Sequence, residues 1–442
     1  QKKEHAMSPQ PQTLRVGLLG FGVVGSQVGR RLIAEAEELS VRAGATLEMI
    51  GVAVKDLDEP NVVAAQPPNV TTNARELIAK SDIVVELIGG VEPARTFILE
   101  ALAQRKSVVT ANKALLAQDG PALYRAAAEA GVDLYYEAAV AGAIPIVRGV
   151  RESLAGDNVT RILGIVNGTT NYVLDRMTRD GLDFATAVAR AQQLGYAEAD
   201  PTADVEGFDA ASKAAILASL AFHSQVGIDD VHREGITAIT PADVAAAAAG
   251  GNVIKLLAVV EKSEAGGVIA RVHPALVPVD HPLASVHDAF NAIFVEAEAG
   301  GDLMFYGQGA GGVPTSSAVV GDIVAAARNR VAGVRGPAET THASLPALAI
   351  GEAVTRCQIR LRVVDRPGVL AAVSQIFAAH KVSICEVRQT QLPDDGESPP
   401  DQADLTVVTH AARDSALSAT VAELAGLDVV VAVTGVTRVE GS

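Results

Sequence analysis

Between Gly195 and Leu220 the chain reads GYAEADPTADVEGFDAASKAAILASL, where Glu198, Asp200, Asp204, Glu206 and Asp209 precede a single amine, Lys213. Asp209 and Lys213 stand four apart, the spacing that brings two side chains together on one helix face, and Glu206 stands three before Asp209. An exposed ion pair is one account of that spacing, and such pairs contribute little. The other is a polar substrate's cradle around a lysine that moves a proton. The run after Lys213, AAILASLAF, is almost wholly apolar, so the face carrying the lysine is expected to be buried. Buried charge must be paired, and a lysine so held takes its reactivity from its neighbours.

A second kind of chemistry is suggested by GFGVVG, which follows the apolar run LRVGLLG and opens SQVGRRLIAEAEEL, a segment with helical spacing of apolar residues. Glycine there lets the backbone turn sharply, lets a pyrophosphate approach the helix N-terminus and lets the helix pack on a sheet. Gly20, Phe21, Gly22, Val23, Val24 and Gly25 are therefore expected to hold a dinucleotide. The second strand ends in AVKD. Lys55 offers charge to a 2'-phosphate and Asp56 a partner for a 2'-hydroxyl, so NADP(H) is favoured and NAD(H) stays open; a surface Lys55 without function is the alternative. In VVTANKALL, Lys113 follows a strand end, where doubly wound sheets bind ligands, or else is a loop lysine. YYEAAVAGAIPI is rich in small residues and interrupted by Gly142 and Pro145, so its carbonyls with Glu137 could bind a hard cation, or the segment could be a plain crossover.

These residues need elements to position them. Strand-like and helix-like runs alternate from residue 14 to about 140, which indicates an α/β architecture with a doubly wound parallel sheet over 7–140. Residues 141–312 read as an α+β second domain, to which the family resemblance given below assigns the substrate, catalytic and dimerisation roles: RILGIVNGTTNYVLDRMT as strand, polar turn and helix, then VIKLLAVVEK, VIARVHPALVP and AIFVEAEAGGDLMFYGQG as strands. A helix over 313–333 is expected to return to the nucleotide domain, and 334–354, with Pro, Gly and Thr and little periodicity, reads as a linker past which the catalytic part could stand alone. Residues 355–442 follow a βαββαβ order, a small ferredoxin-like domain, with LPDDGESPPDQA as a flexible acidic insert.

The chain's 442 residues exceed one core, and 49% hydrophobic, 20% charged, no Trp and a net charge of -16 describe an acidic globular protein. Phosphate-rich polymers need concentrated positive charge, so nucleic acid is excluded as the expected partner. No apolar run is long enough to cross a membrane, and Cys357 and Cys385 are too few for a disulfide framework, which suits a reducing cytoplasm. The polar residues 1–6 before Met7 read as an added extension outside the fold.

GFGVVG, TANK (110–113), EAAVAGAIPI (137–146), NGTTNYVL (167–174), YAEADPTADVEGFDAASK (196–213) and YGQGAGGVPTSS (306–317) occur in an order that resembles the homoserine dehydrogenase family. The likeness covers residues 14 to about 330, and the 196–213 block is its specific part. Beyond it, the βαββαβ unit with DRPGVL (365–370) resembles an ACT domain, an amino-acid-binding regulatory module, as in the family's long bacterial members. The resemblance implies a Rossmann-type nucleotide domain and reversible, NAD(P)H-dependent interconversion of L-aspartate 4-semialdehyde and L-homoserine in threonine, methionine and isoleucine biosynthesis. It implies Lys213 as acid/base and Lys113 as second catalytic lysine. Glu198 and Asp209 match substrate-binding positions, with Asp204 beside them. Thr110, Lys113, Gly195 and Gly312 match positions near the cofactor, and Glu137 with the carbonyls of Val140, Gly142 and Ile144 resembles a sodium (Na+) site. It also implies a homodimer or homotetramer, and feedback regulation by L-threonine at Asp365, Pro367 and Gly368.

Two rivals fail on the residues present. A phosphorylating aldehyde dehydrogenase needs a nucleophilic cysteine in its catalytic region, and both cysteines lie in the last fifth of the chain. A phosphoglycerate dehydrogenase with an ACT domain carries its nucleotide fingerprint well inside the chain, whereas here it begins at Gly20. Other ACT-containing amino-acid dehydrogenases, and a sensor that binds dinucleotide and amino acid without turnover, stay as alternatives; the sensor has no need of Lys213.

Overall fold

The apolar run before the glycine turn forms β1 (Thr13–Leu19), with every residue from Val16 to Leu19 buried. In the computed structural model, which describes residues 12–392 and 401–441, the chain then continues through α1 (Val23–Ala34), α2 (Ala36–Ala43), β2 (Thr46–Ala53), α3 (Pro60–Ala65) and β3 (Val70–Thr71). After α4 (Ala74–Lys80) come β4 (Ile83–Glu86), α5 (Ala94–Ala103), β5 (Ser107–Thr110), α6 (Lys113–Ala130), β6 (Leu134–Tyr135) and the short α7 (Ile146–Arg148). The strands form one parallel sheet in the order β3-β2-β1-β4-β5-β6. Strands buried on both faces read as the near-continuous apolar runs seen in the sequence. The order reverses direction between β1 and β4, so the C-terminal ends of these two strands bound the crevice where such sheets take ligands.

The next elements belong to a second unit, made of Val159–Ala218, Ile228–Met304 and Leu345–Ser442. They are β7 (Val159–Ile165), α8 (Gly168–Asp180), α9 (Phe184–Gln193), α10 (Thr202–Val205), α11 (Phe208–Phe222), β8 (Val231–Arg233), α12 (Pro241–Ala249), β9 (Asn252–Lys262), β10 (Val268–Pro278), β11 (Phe290–Ala297) and β12 (Gly301–Gln308). The chain passes back to the first unit for residues 219–227 and again for 305–344. There α13 (Gly312–Ala332) buries Val319, Val320, Ile323 and Ala327 in the same apolar cluster as Leu14, Val16 and Val28.

The C-terminal segment adds β13 (Val354–Val364), α14 (Val369–Ala379), β14 (Ile384–Gln391), β15 (Gln402–Thr409), β16 (Ala412–Arg413), α15 (Asp414–Leu424) and β17 (Val430–Val439). This is the expected βαββαβ order with one short extra strand. Its core joins Ile359, Leu361 and Val363 of β13 to Val373 and Phe377 of α14 and Leu417 and Leu424 of α15.

Two features differ from the sequence expectation. The ferredoxin-like sheet does not stand apart: β17 pairs in parallel with β10 through Ala275–Arg438 and Leu276–Val439, giving one sheet in the order β12-β11-β7-β9-β10-β17-β13-β15-β14. The segment expected as a linker is irregular yet pinned. Gly336 N donates to Asp133 at 2.8 Å and Glu339 pairs with Arg151 at 3.1 Å in the first unit, while Val268 and Leu348 exchange backbone bonds with Pro346 and Val268 in the second. Irregular backbone satisfied in this way carries no periodicity to read. The extension expected at residues 1–6 and residues 393–400 of the acidic insert lie outside the described residues.

Candidate active site

The glycine turn requires glycine at two of its three positions and leaves the third open. Gly20 has φ +93°, and a Cβ on it would stand 2.7 Å from the Leu87 carbonyl oxygen. A Cβ on Gly25 would meet the Gly20 carbonyl at 2.5 Å, so only glycine lets α1 start this close to β1. A Cβ on Gly22 would meet nothing within 4 Å. That open side of the turn, at the N-terminus of α1, is where a pyrophosphate approaches. Phe21 is buried with its ring against Gly29, Val24 is half-buried and Val23 is exposed. Gly312 opens α13 with its Cα close to Val23, since an added Cβ would lie 2.8 Å from the Val23 carbonyl.

Around the same sheet edge, Thr110 ends β5 and donates through Oγ1 to Glu86 Oε2 at 2.6 Å, while Glu86 Oε1 accepts from Ile88 N at 2.7 Å. Glu86 was not singled out in the sequence; a carboxylate closing the apolar run DIVVE was the available signal. Asn112 caps α6, accepting from Leu115 N at 3.1 Å and donating to the Gly90 carbonyl at 2.6 Å. The cap makes Lys113, half-buried, the first residue of α6. Lys55 and Asp56 follow β2 and are both exposed.

In the second unit, Lys213 lies on α11 at 7% exposure. Its Nζ donates to Asp209 Oδ2 at 2.7 Å and to the Val166 carbonyl at 2.6 Å. The pair is therefore buried, not the exposed bridge that its spacing also allowed. Asn167, absent from the sequence-based candidates although it begins NGTTNYVL, completes the arrangement. Its Nδ2 donates to Asp204 Oδ1 at 2.7 Å and to Asp209 Oδ2 at 2.9 Å. Its Oδ1 caps α8 by accepting from Thr170 N at 2.8 Å. Asp204 is half-buried, and Glu198 and Gly195 are exposed on the loop between α9 and α10, with Gly195 at φ +77°. That loop is tied to α8 where Thr169 Oγ1 donates to the Tyr196 carbonyl at 2.7 Å.

Glu206 departs from expectation. It does not share the face of Asp209, because Gly207, at φ +80°, ends the short α10 before α11 begins. The Glu206 carboxylate instead accepts from Thr237 Oγ1 at 2.9 Å. Asp200 likewise turns to its own loop, accepting from Thr202 Oγ1 at 2.6 Å.

Glu137 is buried in the first unit and accepts from Val147 N at 2.8 Å and Arg148 N at 3.0 Å. Burial, reinforced by the neighbouring charge of Asp322, pushes its carboxyl up to about 7. Val140, Gly142 and Ile144 follow in a tight segment where Ala141 and Gly142 both have φ +55°; the Ile144 carbonyl accepts from Ile146 N at 2.8 Å. The Glu137 carboxyl also faces the Arg148 guanidinium, 3.7 Å away. Gly368, at φ +94°, precedes α14, and Asp365 and Pro367 are exposed before it; Asp365 Oδ1 accepts from Gln389 Nε2 at 3.1 Å.

Comparison with known proteins gives these sites a family. Residues 145–324 match the family model described as homoserine dehydrogenase, 20–137 the homoserine dehydrogenase NAD binding domain, and 358–427 the ACT domain. Over 433 residues the chain is 55% identical to the homoserine dehydrogenase of Mycobacterium tuberculosis (strain ATCC 25618 / H37Rv), covering 97% of this chain and 98% of that protein. The chain belongs to the homoserine dehydrogenase family. It is an oxidoreductase with a nicotinamide nucleotide domain, a catalytic domain and an ACT domain, the last consistent with feedback regulation by an amino acid. The homoserine dehydrogenase of Corynebacterium glutamicum is 53% identical, with 96% of this chain and 95% of that protein covered. Among solved structures, that from Thiobacillus denitrificans superposes with a TM-score of 0.91 at 39% identity, covering 98% of this chain and 99% of its own. A hyperthermophilic archaeal homoserine dehydrogenase in complex with NADPH has a TM-score of 0.60 at 27% identity and covers 71% of this chain and 98% of its own.

Proposed function

We propose that Lys213 is the acid/base of a reversible interconversion of L-aspartate 4-semialdehyde and L-homoserine. The observation that carries this reading is the buried ammonium held by the Asp209 carboxylate and the Val166 carbonyl. Gly20–Gly25 would hold a nicotinamide nucleotide, whose chemistry when bound would be to supply or accept the hydride. In the direction of reduction Lys213 donates a proton to the aldehyde oxygen, and its charge stabilises the alkoxide as it develops. In oxidation Lys213 takes the hydroxyl proton. Asp209, one turn earlier, orients the amine, and Asn167 holds Asp209 and Asp204 in fixed positions. Glu198, exposed on its loop, pairs with the ammonium group of the substrate. Lys113 at the start of α6 is the second catalytic lysine, and Thr110, Gly195 and Gly312 flank the cofactor.

The same reading includes NADP(H) in preference to NAD(H), supported by the exposed Lys55 at the end of β2, and Na+ at Glu137, Val140, Gly142 and Ile144. It includes L-threonine as effector. A homodimer or homotetramer is supported by β14, which ends the described sheet with an exposed edge that a second copy could extend. A cytoplasmic setting is supported by two thiols, Cys357 and Cys385, that form no disulfide; among the described residues no helix is long and apolar enough to cross a membrane. Oxidation of L-homoserine followed by absorbance with NADP+ and with NAD+ tests the reading. Turnover with at least one nucleotide is expected, and full-length protein that binds nucleotide but gives none with either would overturn it in favour of a non-catalytic sensor.

A further inference from the structure

Glu86 closes β4 with no exposed surface, although its side chain is a carboxyl group. Strand pairing sets it beside Leu19, the last residue of β1, on one side and beside Thr110, the last residue of β5, on the other. It therefore stands in the middle of the sheet edge that takes the ligand. The chain that follows packs against the glycine turn, where a Cβ on Gly20 would come within 2.7 Å of the Leu87 carbonyl oxygen. Ile88, Gly89 and Gly90 then reach the surface, and Asn112 Nδ2 holds the Gly90 carbonyl at 2.6 Å.

The surroundings of this side chain are those of an anion without a counter-ion. Oε1 accepts from Ile88 N at 2.7 Å and from Gly89 N at 3.3 Å, and Oε2 accepts from Thr110 Oγ1 at 2.6 Å. The Thr110 hydroxyl is itself braced, accepting from Asn112 N at 3.0 Å. Glu86 thus receives three hydrogen bonds and, among the described residues, gives none, the pattern of an ionised carboxylate. All three donors are neutral. Asp322 and Glu339 in the same unit each lie against an arginine, whereas among the described residues Glu86 makes no ion pair. A buried ion met only by neutral donors costs folding free energy. Its place at the ligand edge of the sheet points to a positive charge that arrives with the ligand.

Such a charge comes and goes in the chemistry proposed above: an oxidised nicotinamide ring is a cation, and it is neutral once it holds a hydride. A dinucleotide whose pyrophosphate meets the Gly20–Gly25 turn sends its two halves to either side of the point where the strand order reverses. Lys55 lies on the β2 side, and Glu86 and Thr110 lie on the β4–β5 side, which leaves the nicotinamide half to them. We propose that Glu86 is the counter-charge of the oxidised nicotinamide ring, favouring the oxidised nucleotide over the reduced one. In reduction the hydride passes to the aldehyde carbon, the oxygen takes its proton from Lys213, and the ring is left with a positive charge that Glu86 stabilises as it develops. The amides of Ile88 and Gly89 and the Thr110 hydroxyl fix the carboxylate beforehand, so it need not reorganise. The proposal rests on the reading of the chain as a nicotinamide-dependent enzyme.

The test measures binding without substrate, by isothermal titration of the full-length protein with NADP+ and NADPH, repeated with NAD+ and NADH. Glu86→Gln removes the charge and keeps the shape, since its amide oxygen can accept from Ile88 and Gly89 and its Nε2 can donate to Thr110 Oγ1. The Kd of the oxidised nucleotide is expected to rise on the order of tenfold, the effect of one unit charge a few side-chain lengths away in a protein interior. The Kd of the reduced nucleotide should stay within about twofold. Free of nucleotide, the variant should melt no lower than the unaltered protein, because the charge it loses had no opposite partner. Equal weakening of both forms, or a variant that does not fold, would make Glu86 a brace for residues 88–90 and overturn the proposal. So would a crystal structure of the unaltered protein with NADP+ in which the ring lies on the β2 side of the turn, a check that needs no variant. A shifted ratio of the two Kd values in a protein that does not oxidise homoserine would leave the counter-charge standing and remove the proposed reaction. Homoserine oxidation with an unshifted ratio would do the opposite.

Discussion

Two clusters of buried charge lie in the second unit, and they are built differently. Around Arg271, which has no exposed surface, Glu261 stands at 2.5 Å and Glu440 at 2.9 Å, and Glu440 also meets Arg161 and, at 3.4 Å, His273. Each ion there is answered by another ion, and the members come from β7, β9, β10 and the residue after β17. Lys213 instead meets the Asp209 carboxylate and the Val166 carbonyl, and the Asn167 amide ties Asp209 to half-buried Asp204. The first cluster pairs ion with ion across strands. The second holds a buried lysine on a carboxylate and a backbone oxygen. Burial of charge is common to both clusters, so by itself it does not mark a catalytic group.

The comparison is broken most severely at Glu440. Burial pushes its carboxyl up, but Arg271 beside it, with His273 and Arg161, holds it well below the usual carboxylate range. Glu440→Ala leaves Arg271 buried without that partner, an outcome that costs about 3–5 kcal/mol. Urea unfolding followed by circular dichroism should show the loss, with kcat of the folded protein little changed; a large fall in kcat at normal stability would mean the two clusters are not distinct. Because folding lowers this carboxyl's pKa, its stabilisation is complete above the unfolded value of about 4.3 and is lost as pH falls through the folded one. Below about pH 5 the unaltered protein should therefore lose stability more steeply than Glu440→Gln. Cutting the chain near Ala353 is accordingly not a clean removal of a tethered module, since it takes away β17 and Glu440 together.

Lys213→Ala should do the reverse. On the usual scale of general acid/base catalysis kcat falls at least about a hundredfold, with cofactor affinity nearly unchanged. Rates by absorbance and nucleotide Kd by fluorescence check this, and near-normal turnover would remove Lys213 from the mechanism. Asn167→Ala sharpens the same side of the comparison. It frees two carboxylates from their shared donor and removes the α8 cap, so a loss of about 1–2 kcal/mol in stability is expected from the cap alone, together with a higher KM for homoserine. A KM equal to that of the unaltered enzyme would make Asn167 a cap and nothing more.

How much of this was legible follows from the distances along the chain. The glycine turn, Lys113 after β5 and the Asp209–Lys213 pair are local patterns, and each is found at the element end that the pattern named. The three-residue spacing of Glu206 and Asp209 carries no sign of the break at Gly207, whose positive φ separates α10 from α11. Asn167 lies 42 residues from Asp209, and Arg271 lies 169 residues from Glu440. Nothing in the spacing of either residue points to its partner, because the partnership is made by sheet order and strand ends. The ACT domain was visible as a βαββαβ order, but its merging with the catalytic sheet depends on β17 pairing with β10, a contact between strands with no shared local signal.

The smallest effect is expected at Lys55, where the comparison moves from charge held inside the fold to charge held in water. Lys55 follows β2, the strand whose C-terminal end carries the ribose reader in folds of this kind, and it is exposed beside an exposed Asp56. An exposed cation is screened by solvent and salt, so its contribution to a bound 2'-phosphate is modest, on the order of tenfold in affinity. Lys55→Ala should raise the Kd for NADPH by about that factor at low salt and leave the Kd for NADH unchanged, because only the former carries a phosphate for the cation to meet. The gap should narrow as ionic strength rises, unlike the effects at Lys213 and Glu440, which lie out of reach of bulk ions. Equal changes for both nucleotides would show that Lys55 does not read the ribose, and the preference for NADP(H) would then have to be sought elsewhere along the β2 edge.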